Sequence, residues 1–375
     1  MRITIYNDPA GGGIGGAEYC AVVLAAAFSQ EHQVRLVHHH TDFTHERILA
    51  AFGEDCSHAE LQYEAPDPVW HRAGWKDSLS EHTDCLISIC HWAPPVCRAE
   101  RGILYVLFPL FERPQQWPWA GSGGVRGFLR RKQYDWRWRQ RTGSYRHVVS
   151  ISEYTRRWTE KWWGRDSSII YPPVAMAFPV VEKRNEVIAV GRFCEMKRQL
   201  EIAGAFGQMP AEVLNDWKLV CCGNPVDPQY FEQLQAVASQ APIELAVSLP
   251  RQELQRRLAA SKIFWHAAGY GMDEDAAPGK LEHFGIVTVE AMAAGCVPVV
   301  IGKGGQREIV EHGVTGFLCQ TLEEMQDYTA QLMRNEDRRR AMSQAARERA
   351  AGFSKERFLR QFRPLVNSQN ISLAG

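Results

Sequence analysis

An alternation of strand-like and helix-like segments runs through this chain twice, and it limits the possible folds more than any other feature. Short β-branched runs at residues 2–7, 33–38, 85–90, 103–108, 147–152 and 168–171 are separated by stretches with helical spacing, among them 17–28 and 154–163. Such alternation implies parallel strands joined by crossover helices. Tyr171-Pro-Pro-Val174 interrupts it, because consecutive prolines disfavour both a helix and a central strand. A second series follows, with strands expected at 187–192, 218–222, 243–249, 262–265 and 296–301. Its helices are expected at 199–206, 228–238, 251–260 and 286–294. The length of 375 residues agrees, since about 150 residues per domain predicts two domains. The simplest reading is two doubly wound α/β domains joined near Pro172-Pro173.

Composition narrows the class. With 45% hydrophobic and 23% charged residues the chain can bury a core, and global disorder is excluded. Basic and acidic residues number 43 each, which argues against a generic polyanion binder but leaves room for a local basic patch. No apolar run approaches the ~18 residues of a spanning helix. The apolar stretch 20–28 lacks a basic leader and reads as a buried helix rather than a secretory signal. The ten cysteines form no C-x-x-C pair, so a reduced, cytoplasmic chain without a zinc site is expected. His38-His39-His40 could suggest a metal, but neighbours at a strand end point to opposite faces, and no metal is expected there.

The most informative segment is Glu282-His-Phe-Gly-Ile-Val-Thr-Val-Glu290-Ala-Met-Ala-Ala-Gly295. His283-Phe284-Gly285 reads as a loop, with a helix beginning near Ile286. That start would lie at the carboxyl end of the preceding strand, where open α/β sheets bind ligands. A helix N-terminus offers unpaired N–H groups and partial positive charge, which suits a phosphate. Glu290 lies one turn deeper on the same face, and Glu282 sits on the loop before it. One carboxylate could bind a ribose diol and the other the hydroxyls of a second sugar. Two carboxylates would repel a pyrophosphate unless cations neutralised it, and Arg192 and Lys197 are the candidates.

Here the residues carry a resemblance. Glu282-x7-Glu290 followed by Ala-Met-Ala-Ala-Gly resembles the signature of the retaining glycosyltransferases of family 4, which have the two-Rossmann GT-B fold. Val190-Gly-Arg192-x4-Lys197 is similar to that family's cationic donor-phosphate pair. Gly304-Gly-Gln-Arg-Glu-Ile-Val-Glu-His-Gly-Val-Thr-Gly316, the glycine-rich Gly11–Gly16 loop with Ala17-Glu18, Ser150-Ile-Ser-Glu-Tyr-Thr and Tyr171-Pro-Pro-Val extend it from about residue 2 to about residue 350. The resemblance implies an α/β GT-B fold, two Rossmann-like domains facing each other across a cleft. Residues 1–172 would form the acceptor side and 173–350 the nucleotide-sugar side, with a helical tail, 351–375, crossing back to the first domain. Arg192 and Lys197 would bind the donor pyrophosphate and stabilise it as a leaving group. Glu282 would hold donor-sugar hydroxyls and Glu290 the nucleotide ribose. Backbone N–H groups at Phe284, Gly285, Ile286 and Val287 would contact sugar and phosphates, and Gly15 and Gly16 would let the first loop approach the pyrophosphate.

The implied activity is metal-independent, cofactor-free transfer of a hexose with retention. GDP-mannose is the favoured donor and a UDP-sugar the alternative. The acceptor would be a glycan or a lipid-linked glycan of surface polysaccharide assembly, met in the cytoplasm or at the inner face of the cell membrane. Two features depart from the pattern. Leu107 occupies the position where many relatives carry a His that orients the donor sugar, which leaves His91 as the candidate for that role. The loop from His266 to Lys280 is long, and its Asp273-Glu-Asp275 formally matches a D-x-D metal motif. That motif belongs to a single-domain fold with no other support here, so an acidic, solvated and mobile loop is expected. His266 and Lys280 could face the pocket.

From Arg126 to Arg141 the chain carries seven cations and one acid, Asp135. Val125, Phe128, Leu129 and Trp136 approximate one helical face. Such a helix could lie on an anionic membrane, or dock its apolar face on the first domain and solvate its charges. Nucleic acid is not an expected partner. Two rival functions have weaker support than the transferase. An NAD-linked oxidoreductase lacks a clean G-x-G-x-x-G and a well-spaced acid. A non-catalytic sugar-nucleotide-binding subunit has Leu107 as its only support.

Overall fold

The computed structural model describes residues 1–8, 15–65, 75–91, 94–109 and 124–367. Residues 11–14 of the glycine-rich loop and the start of the insert after Phe111 lie outside these. The chain forms two compact units: Met1–Pro173 together with the helix Lys355–Asn367, and Val174–Ser354.

Among the described residues, the first unit has seven parallel strands: β1 (Arg2–Asn7), β2 (Gln33–His38), β3 (Glu60–Tyr63), β4 (Cys85–Cys90), β5 (Arg101–Val106), β6 (His147–Ser150) and β7 (Ser168–Ile169). Their order is β3-β2-β1-β4-β5-β6-β7. The second unit has six: β8 (Arg184–Val190), β9 (Lys218–Gly223), β10 (Ile243–Val247), β11 (Ser261–His266), β12 (Val297–Ile301) and β13 (Phe317–Cys319), in the order β10-β9-β8-β11-β12-β13. Helices cover both faces of such sheets, so central strands read as continuous apolar runs. β4, Cys-Leu-Ile-Ser-Ile-Cys, is buried at every position. In each sheet the strand order reverses once, between β1 and β4 and between β8 and β11, and those reversals open crevices at the carboxyl ends.

The differences from the sequence expectation have local causes. The strand expected at 147–152 ends at Ser150 because Ser152 caps the next helix, Glu153–Trp163, accepting from the Thr155 N–H at 3.0 Å. The strand expected at 243–249 ends at Val247 because Ser248 turns at φ +53°. β3 and β13, of four and three residues, are too short to register as runs. The tail expected from 351 leaves the second unit only after Ser354. Ala351–Phe353 is a helical turn whose Phe353 packs edge-on to Phe284, ring centroids 5.6 Å apart. Helix Lys355–Asn367 then sets Phe358 and Phe362 against Tyr105 of the first unit at 5.9 and 5.7 Å, with Lys355–Glu54 and Arg363–Glu31 ion pairs at 2.8 Å. Among the described residues no helix is long and apolar enough to cross a membrane.

Candidate functional site

The convergent charges of the second unit gather at the carboxyl ends of β8 and β11, the strands flanking its order reversal. β8 gives way to Gly191-Arg192, and Glu195–Lys197 makes one tight turn. Gly223, ending β9, permits this close approach: a Cβ there would stand 2.0 Å from the Gly191 carbonyl oxygen. Buried Gln199 fixes the turn by donating to the carbonyls of Gly191 (3.2 Å) and Arg192 (2.8 Å). The Arg192 side chain is left exposed, with no ion pair or hydrogen bond among the described residues.

Lys197 folds back. Its Nζ donates to Glu282 Oε2 at 2.7 Å, and His266 Nε2 meets the same oxygen at 3.1 Å. These side chains are 25%, 17% and 6% exposed, so the pair is shielded enough to feel strong attraction. Burial alone would push the Glu282 carboxyl up. The Lys197 charge and the His266 bond outweigh it and hold the group well below the usual carboxylate range.

The Glu282 backbone is clamped as well. Its carbonyl accepts from the Gly305 N–H at 2.9 Å, and a Cβ on Gly304, itself at φ +58°, would stand 2.2 Å from that oxygen. The Gly304 N–H in turn donates to Glu274 Oε1 at 2.8 Å, and Arg307 pairs with Glu274 Oε2 at 2.8 Å. Lys303 donates to the Met272 carbonyl. The expected solvated acidic loop holds for Asp273 and Asp275, which are exposed, but not for Glu274, which is pinned against the Gly304 turn that clamps Glu282. Asp273 is used locally, accepting from the N–H groups of Asp275 (2.8 Å) and Ala276 (3.0 Å). Lys280 is exposed.

Helix Ile286–Ala293 starts at Gly285, whose φ of +116° is open to glycine but not to ordinary side chains. The N–H groups of Ile286 and Val287, first in the helix, have no intrahelical acceptor. The Phe284 side chain is buried against Phe353. Gln306 is fully buried beneath Gly285, its Nε2 2.8 Å from where a Cβ would be, and neither amide atom has a hydrogen-bond partner. Glu290 lies one turn deeper. Burial pushes its carboxyl up, and Arg251 offsets this only in part.

A raised carboxyl makes folding favour the neutral form. Stability is therefore full below the ordinary carboxylate range and declines as pH rises through the raised folded value. Glu290→Gln removes that cost. It is expected to raise the melting temperature at neutral pH by about 2–4 °C, roughly 1 kcal/mol, with the gap closing in acid. Melting curves across pH check this.

Three predicted residues lie in the first unit. Gly15 precedes helix Gly16–Phe28 in extended backbone (φ −148°), and its N–H donates to Glu18 Oε2 at 2.8 Å. Glu18 is buried, also meeting Asn7 Nδ2 and His40 Nε2 at 3.3 Å each. His91 follows β4, and burial pushes its imidazole down against the opposing pull of Asp8 and Glu18, favouring the neutral ring. Leu107 is buried and turns inward. The three consecutive histidines go separate ways: His38 to Phe43 and Tyr63, His39 to the Glu64 carbonyl, and His40 to Glu18.

Arg192, Lys197, Glu282, Gly285, Ile286, Val287 and Glu290 thus belong to one unit and Gly15, Gly16 and His91 to the other. Sequence reasoning missed Glu274, Lys303 and Gln306, although Gln306 stands within the Gly304-to-Gly316 pattern.

A model of the glycosyl transferases group 1 family matches residues 176–349. The GDP-Man:Man(3)GlcNAc(2)-PP-Dol alpha-1,2-mannosyltransferase of Dictyostelium discoideum is 28% identical over 61% of this chain and 49% of its own length. The N-acetyl-alpha-D-glucosaminyl L-malate synthase of Bacillus anthracis is 28% identical over 46% of this chain and 42% of its own. The chain thus spans about half the length of the curated relatives it matches. Among solved structures, HepE of Anabaena in complex with UDP-glucose superposes with a TM-score of 0.71 at 16% identity, covering 98% of this chain and 100% of that one. WaaG, a glycosyltransferase involved in lipopolysaccharide biosynthesis, gives 0.68 at 14% identity, with 98% and 100% covered.

Proposed function

We propose that this chain moves a hexose from a nucleotide-diphosphate sugar to a glycan or lipid-linked acceptor, with retention at the anomeric carbon, because residues 176–349 match the model of the glycosyl transferases group 1 family and the chain has the α/β GT-B fold. The observation that carries this reading is the Lys197–Glu282–His266 cluster in the same unit as the open guanidinium of Arg192 and the unpaired helix start at Ile286. Cations and unpaired N–H groups suit a diphosphate, and an ionised carboxylate suits sugar hydroxyls.

The resting ion pair suggests an exchange. A donor pyrophosphate offers Lys197 a more highly charged partner than Glu282. Glu282, still ionised and held by His266, then accepts hydrogen bonds from the sugar. As the C1–O bond breaks, Arg192 and Lys197 stabilise the departing nucleoside diphosphate. The acceptor oxygen attacks from the same face, and its proton passes to the leaving phosphate oxygen. No protein nucleophile is required. The two side-chain cations supply charge that a divalent ion would otherwise bring, which supports metal-independent transfer without a cofactor. Glu290 would accept from the ribose diol. His91, kept neutral by burial, could exchange hydrogen bonds with donor or acceptor hydroxyls.

GDP-mannose is the favoured donor, because the Dictyostelium relative is by name a GDP-Man mannosyltransferase. A UDP-sugar is the second reading, supported by the likeness to HepE with UDP-glucose. Surface polysaccharide assembly, in the cytoplasm or at the inner face of the cell membrane, is the setting this reading implies. A thermal-shift screen of GDP, UDP, ADP and NAD tests the reading. A nucleoside diphosphate at a hundredfold excess over Kd is expected to stabilise by about 2.7 kcal/mol, GDP against UDP assigning the base. Stabilisation by NAD alone would overturn the proposal.

A further inference from the structure

The basic insert leaves one surface unexplained. Helix Val125–Gly143 is fixed to the first unit by its own far side. Gly127 and Thr142 are buried, Trp138 stands edge-on to Trp163 with ring centroids 5.3 Å apart, and Arg141 donates to the Pro94 carbonyl at 2.8 Å. At 3.6 residues per turn, Gly127, Trp138 and Thr142 share one face. Val125, Leu129 and Trp136 fall on the opposite one, with Phe128 on the flank between. The alternative that this apolar face docks on the first domain is overturned, because these four side chains are 75%, 54%, 59% and 58% exposed.

The stripe runs about 16 Å along the helix and is set among cations. Arg126 and Arg137 flank one side, and Arg139 stands at its other edge. Lys132 rises within it, its ammonium over the Phe128 ring at 5.7 Å from the centroid, so a cation stands directly on the apolar surface. Exposed aliphatic and aromatic groups set among cations on one outward face of the helix match a flat partner. That partner is apolar below and anionic at its rim.

We propose that this face of the helix docks on an anionic phospholipid bilayer, Val125, Phe128, Leu129 and Trp136 entering the headgroup boundary and the flanking cations pairing with lipid phosphates. The inference extends the peripheral setting given above but stands on the helix alone, independent of the transfer reaction.

The test is co-sedimentation of the full chain with phosphatidylcholine vesicles, with and without phosphatidylglycerol. Partitioning is expected to be about tenfold or more stronger with the anionic lipid and to weaken with salt. Lys132→Glu with Arg137→Glu, and separately Leu129→Glu with Trp136→Glu, should each lower it about tenfold or more. All four positions are exposed, so folding is retained. The nucleoside-diphosphate thermal shift, measured on the same preparations, should be unchanged, which separates failure here from failure of the glycosyltransferase reading. Equal binding to both vesicle types, no vesicle binding, or variants that bind as wild type would overturn the proposal. So would saturable binding of a single-stranded oligonucleotide, lost in the same variants, without vesicle binding.

Discussion

Lys197→Met is expected to damage both stability and turnover. Lys197 and His266 share one oxygen of Glu282, which is only 17% exposed. Removing the ammonium leaves a shielded carboxylate with the imidazole alone. Breaking a fully buried pair costs about 3–5 kcal/mol, and partial solvent access here reduces that to about 1–3 kcal/mol. The pH dependence has a definite sign. The Glu282 carboxyl is depressed in the folded chain, so the pair's contribution is present above the ordinary carboxylate range and lost as pH falls through the depressed value. The variant should therefore melt several degrees lower at neutral pH and converge on wild type in strong acid. Its kcat/KM for donor should fall about 10²–10³-fold, because a cation aimed at the leaving phosphate is gone. Lys197→Arg keeps the charge and should recover most of the stability and part of the rate.

Arg192→Ala is expected to give the opposite balance, a large loss of activity with almost none of stability. The guanidinium is exposed and makes no ion pair or hydrogen bond among the described residues, so folding does not depend on it. In the proposed reaction it meets the diphosphate, and its value rises as negative charge accumulates on the leaving group. The expected loss in kcat/KM is about 10²–10³-fold, with a melting curve within about 0.5 kcal/mol of wild type. A structural arginine would show the reverse pattern.

The fold was legible wherever local pattern and burial coincide. β1, β2 and β4 can be read from sequence to the residue, because apolar residues recur at least at every second position in each. Helices Pro228–Ala238 and Arg251–Ala260 were legible from their spacing and their prolines. What could not be read depends on neighbours distant in sequence. Lys197 and Glu282 could each be singled out as ligands, but their mutual bond joins positions 85 residues apart. Glu274 stands in an acidic run that looks solvated, and only the Gly304 turn folded over it shows otherwise. Gly223 is ordinary at the end of a strand until the Gly191 carbonyl is seen beside it. Periodicity located the apolar stripe at Val125 to Trp136, but whether it faces protein or solvent is a property of the packed unit.

The central claim is that Arg192, Lys197 and Glu282 form a nucleotide-sugar site that promotes departure of the nucleoside diphosphate. Its most direct test is release of that diphosphate from GDP-mannose and UDP-glucose by the full chain, compared with Arg192→Ala. The account predicts turnover with one of these donors by wild type and a loss of about 10²-fold or more in the variant. Undetectable release with every donor and acceptor tried, or equal release by Arg192→Ala, would contradict it.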